Sequence, residues 1–144
     1  MKALSNHRRG SPLASPGALR LSSRVMKTIN RALIVIKPKQ PFLDWINSQA
    51  DAPEFEVTLD SLRSEDCTAI LVPEIDDYDE VWKVIEDLAP EIFETELNGW
   101  WQVPELWPVN RDFKTFKEWF DVEIHSMVGD SVKGQIRKTA EDLG

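Results

Sequence analysis

The chain has 144 residues, with six Trp, six Phe, one Cys, 42% hydrophobic and 29% charged residues, and a net charge of −8. That composition suits one packed domain and excludes global disorder, a disulfide scaffold and a cysteine-based metal cage. The acidity speaks against nucleic-acid binding through a general basic surface, and no apolar run approaches the roughly 18 residues that a membrane span needs.

The charge is divided unevenly along the chain. Residues 1–29 hold six Lys or Arg and no Asp or Glu, whereas residues 30–144 hold 11 basic and all 25 acidic residues, a net −14. The first stretch is rich in Ser, Pro and Gly and has no periodic apolar face, so a disordered leader is expected over 1–29. An Arg- and Ser-rich segment without acids is also the pattern of an organelle transit peptide. The preferred reading is an upstream extension or a mis-called start, with Met26 a candidate for the true start.

The compact part is expected over residues 30–128, beginning with the apolar, β-branched run Ala32–Ile36. Apolar on both faces and bounded by Pro38 and Pro41, it predicts a central strand. Pro41 suits the first turn of a helix whose apolar face is Phe42, Trp45 and Ile46, ending at Asp51-Ala52-Pro53. A short helical turn is expected between Thr58 and Ser64. Cys67–Val72 predicts a second strand, closed by Pro73. Asp77 and Glu80 have capping-box spacing and start a helix with the stripe Val81, Ile85, Leu88. Pro90 is expected to begin a separate helix through Phe93 and Leu97, with Gly99 as its stop. After a loop at 98–110, Asn110 is expected to cap a helix carrying Phe113, Phe116 and Phe120. Alternation from Asp121 to Val128 then predicts a half-buried strand near an edge. Residues 129–144 form a polar tail, at best with a loosely attached helix through Val132 and Ile136. The sum is a single compact α+β (or small α/β) domain, a three-stranded sheet with about four helices.

Three blocks, 32–45 (ALIVIKPKQPFLDW), 106–111 (LWPVNR) and 118–128 (EWFDVEIHSMV), resemble a family of short uncharacterised bacterial proteins. The resemblance covers about residues 30–128. It implies a soluble cytoplasmic domain, supports Met26 as the start, and brings no activity with it.

No phosphate-binding glycine loop and no GxSxG elbow is present, and no cofactor is expected. Asp121-x-Glu123-x-His125 puts two carboxylates and an imidazole on one strand face, the donor set of a divalent metal or an acid–base pair. A solvated strand face explains the same pattern without chemistry. Lys37 and Lys39 follow the central strand, where Arg111 and Lys114 are candidates to join them as an anion site; lysines at a proline-fixed turn are the plainer account. Cys67 starts an apolar strand, where a thiol usually serves as a small hydrophobe, and a nucleophile pair with His125 requires neighbouring strands. Trp100, Trp101 and Trp107 lie in a loop with Pro104 and Pro108. Exposed, they are anchors for a protein partner; buried, they are a lid over the sheet. The function expected from these features is a small acidic, non-catalytic protein-interaction module; the alternative is a small metal-dependent enzyme using Asp121, Glu123 and His125.

Overall fold

The computed structural model describes residues 26–141. In chain order the strands are β1 (Lys27–Thr28), β2 (Arg31–Pro38), β3 (Thr68–Pro73), β4 (Phe120–His125) and β5 (Gly129–Asp130). The helices are α1 (Gln40–Ser48), α2 (Leu59–Ser64), α3 (Tyr78–Asn98) and α4 (Phe113–Trp119), with a 3₁₀ turn at Pro104–Leu106. β2 lies between β3 and β4 in an antiparallel sheet, and β1 pairs with β5 in a second ladder. This is the expected α+β architecture.

Register follows from the alternation of β2. Ala32, Ile34 and Ile36 are buried, opposite Val72, Ile70 and Thr68 on β3; Ile34 and Ile36 also face Ile124 and Val122 on β4. These side chains form the covered face of the sheet. The intervening residues Leu33, Val35 and Lys37 share the other face with Ala69 and Leu71 and with Asp121, Glu123 and His125. So β2 is central, as its composition predicts, and β4 is an edge with one polar face.

The core is an aromatic junction. Phe120, the first residue of β4, has ring centroids 5.2 Å from those of Phe42 on α1, Phe93 on α3 and Phe116 on α4. One side chain therefore ties three helices to the sheet, each ring pair adding about 0.5–1.5 kcal/mol beyond its area. No loop separates α4 from β4, and Lys39 N–H donates to the Trp119 carbonyl at 2.8 Å, fixing the end of β2 there.

Local signals account for most boundaries. Pro41 stands in the first turn of α1. Thr58 and Ser61 make both bonds of a capping box on α2, and Asp77 caps α3 by accepting from Asp79 N–H. Asp66 takes a positive φ of 52° in the turn into β3, a conformation that the short polar Asp side chain tolerates.

Three expectations are corrected. Pro90 does not begin a second helix: α3 runs unbroken from Tyr78 to Asn98 with Pro90 inside it. Val81, Ile85, Ala89, Ile92, Phe93 and Leu97 are all buried, so one continuous stripe holds the helix across the break that local propensity favours. The cap of α4 is Asp112, which accepts from Thr115 N–H, while Asn110 accepts from Asp112 N–H one step earlier. The described tail has no helix; Val132 and Ile136 are exposed. Residues 1–25 of the expected leader lie outside the described residues. Lys27–Thr28 and Gly129–Asp130, just beyond the expected limits of 30–128, pair with each other.

Candidate interaction site

The outer face of β4 carries the strongest sequence pattern, and ion pairs occupy it. Lys37 Nζ lies 2.8 Å from Glu123 Oε2, Arg63 donates to Asp121 Oδ2 at 2.9 Å, and Lys39 Nζ is 3.9 Å from Asp121 Oδ1. His125 Nε2 is 3.3 Å from Glu123 Oε1. The hydrogen bond from Lys37, followed by that from His125, holds the Glu123 carboxyl below its ordinary 4.5. Both carboxylates are already neutralised by protein cations. Among the described residues no group of three or more His, Cys, Asp or Glu side chains is placed to hold a metal ion. Cys67 and His125 sit at opposite ends of non-adjacent strands, with β2 between them.

The anion site is not assembled. Lys39 Nζ donates to the Lys117 carbonyl at 2.9 Å, while Arg111 is held by Glu94 at 3.2 Å and by the Pro108 carbonyl at 2.6 Å. Each of these cations already has acidic or carbonyl partners, and Arg111 is drawn to α3 rather than to Lys37.

The Trp loop is latched to the domain. Trp100 is buried, and Trp101 and Trp107 are half-buried. Trp45 Nε1–H donates to the Leu106 carbonyl at 2.9 Å, and Trp107 Nε1–H donates to the Trp101 carbonyl at 2.8 Å. Arg111 lies over the Trp107 ring, 5.7 Å from its centroid. Trp101 meets Trp45 edge-on at 5.3 Å. Two indole donors are spent within the chain, and the rings pack on α1, so this loop acts as a lid over the core.

The site that sequence reasoning missed is at the other edge of the sheet. β3 pairs with β2 only; among the described residues no strand lies against its second edge. Alternate backbone N–H and C=O groups of an edge strand point away from its neighbour, ready to pair. β4, the other edge, carries Asp121, Glu123 and His125, whereas β3 reads Thr-Ala-Ile-Leu-Val-Pro, without a charge. Beside β3 runs a groove of about 240 Å³ between the strand and α3. Ile70, Leu88 and Ile92 give it apolar walls, Thr95 and Glu91 its rim, and Glu96 is buried in it. The Thr68 hydroxyl donates to Glu96 Oε2 at 2.7 Å, which joins strand to helix at the groove's end. No Lys, Arg or His lines it.

Leu88, Glu91, Ile92, Thr95 and Glu96 follow helical spacing and share one face of α3. Ending a helix at Pro90 splits that face in two, which is why periodicity alone does not reveal it. The unguarded composition of β3 was the available signal.

Compared with known proteins, the chain matches no family, no curated protein and no solved structure. The resemblance carried by the three sequence blocks therefore adds no function to the site. Among the described residues no helix is long and apolar enough to cross a membrane.

Proposed function

We propose that this protein is a non-catalytic interaction module that binds a basic partner protein at the groove between β3 and α3. The observation that carries the reading is the uncharged edge of β3 beside a groove with apolar walls whose charged lining residues are both Glu. Apolar walls supply affinity by burial, at roughly 25 cal/mol per Å² before the costs of association. The net −14 of residues 30–144 favours a cationic partner and speeds its encounter at low salt. The Trp loop then serves stability, and the ion pairs on β4 keep that edge from self-pairing.

The test is selection of linear peptides from a random phage-displayed library on the full chain. Enriched peptides should bind the Lys37→Ala variant, whose change lies on the outer face, and lose binding to Leu88→Glu and Glu91→Lys. Circular dichroism melts establish that each variant is folded. No enrichment, or equal binding to all three variants, overturns the reading.

A further inference from the structure

The groove has two features that a generic apolar patch lacks: a row of backbone groups along one wall and carboxylates along the other. A helix laid in it would leave the β3 backbone unpaired, because a helix satisfies its own N–H and C=O groups. An extended segment pairs with that backbone and, at the same time, directs every second side chain to the groove side. Glu91 is exposed on the rim of α3, and no Lys, Arg or His is among the residues that line the groove.

Resting on the reading of this groove as an interaction site, we propose that its partner supplies an extended segment whose groove-side residues, every second one, are apolar except for one Lys or Arg. This segment adds to β3 as a fourth strand. Its apolar side chains pack over Ile70, Leu88 and Ile92, and a Lys or Arg reaches Glu91.

Charge and composition select this occupant over two others. A second copy pairing β3 with β3 would bring Glu91 and Glu96 of both chains to one joint, a like-charge contact between molecules of net charge −8. The chain's own residues 1–25 are basic, but Gly10, Pro12, Pro16 and Gly17 interrupt them, and a proline cannot donate to a ladder.

The experiment uses a fluorescently labelled, acetylated and amidated octapeptide, Ser-Val-Ser-Val-Ser-Lys-Ser-Val, whose Val and Lys side chains share one strand face, titrated by anisotropy against the full chain at physiological salt. Two further probes carry backbone N-methyl groups on all Ser residues or on all Val and Lys residues. Only alternate peptide N–H groups face β3 in an added strand. One methylated probe should therefore weaken about tenfold or more, and the other should stay within about threefold. Glu91→Lys should weaken the parent probe about tenfold, and the probe with Glu in place of its Lys should recover binding on that variant.

Equal effects of the two methylated probes, with Leu88→Glu and Glu91→Lys still abolishing binding, overturn strand addition and leave the groove as the site. Undiminished binding to both groove variants overturns the groove itself. Absence of binding at millimolar probe overturns the apolar ligand with a groove-side cation. A full chain with Arg8, Arg9, Arg20 and Arg24 changed to Ser that binds the probe more than about tenfold tighter assigns the groove to the leader and overturns the partner. A two-chain mass in sedimentation, lost in Leu88→Glu, assigns the edge to a second copy and overturns it likewise.

Discussion

Replacing Pro90 by Ala should stabilise this protein. Pro90 lies inside α3, where it lacks the N–H that would bond the Glu86 carbonyl, and its ring crowds that carbonyl. An interior proline costs about 3 kcal/mol relative to alanine. Pro90 is exposed, so truncating the ring removes little packing; its neighbour Ala89 is fully buried and unchanged. Against the gain stands the looser unfolded chain, which costs about 1 kcal/mol. Glu86 is exposed as well, so water already serves part of the restored bond's role. The net gain is about 1–2 kcal/mol. At roughly 3–6 °C per kcal/mol for a domain of this size, Tm should rise by about 3–12 °C. Thermal melts followed by circular dichroism, with urea titrations followed by Trp fluorescence, measure it. An unchanged or lowered Tm would refute the reasoning. It would mean that the proline sets a bend of α3 that the sheet requires, and that the buried stripe does not by itself hold the helix straight through residue 90.

Three further outcomes are expected. Trp100→Ala should cost about 3–5 kcal/mol, because that ring is 1% exposed, whereas Trp107→Ala, half-buried with one indole bond, should cost about 1–2 kcal/mol; equal losses in urea titrations would count against the lid. The Thr115 N–H lowers the Asp112 carboxyl from its ordinary 3.8, and Lys37 lowers Glu123 from 4.5, so both titrate lower folded than unfolded. Their stabilisation is complete above those ordinary values and is lost as pH falls through the lowered ones; Tm should therefore drop less steeply in acid for a variant with Asp112→Asn and Glu123→Gln than for the parent, and parallel curves would contradict it. Added Zn²⁺ should shift Tm by less than about 1 °C, since Lys37 and Arg63 already hold the β4 carboxylates; a saturable rise, lost in Glu123→Gln, would restore the metal reading.

The features legible in the sequence rest on short-range physics. Ala32–Ile36 is apolar and largely β-branched, which suits the strand that has partners on both of its edges. Pro41 at a helix start and Asp77 at another act through bonds within a few residues. The alternation of Asp121, Glu123 and His125 fixes their common face, because successive strand side chains point to opposite sides. Tertiary structure decided whatever depends on energies between distant segments. Pro90 reads locally as a break, yet six buried apolar positions from Val81 to Leu97 belong to the core and keep α3 whole. Asp121 and Glu123 suit a metal in isolation, and Lys37 and Arg63, far away in the chain, give them a different role. The groove depends on both kinds of information. The lack of charge on β3 is written in its six residues, but Leu88 and Ile92 line a groove only because α3 continues past Pro90 and lies along that edge.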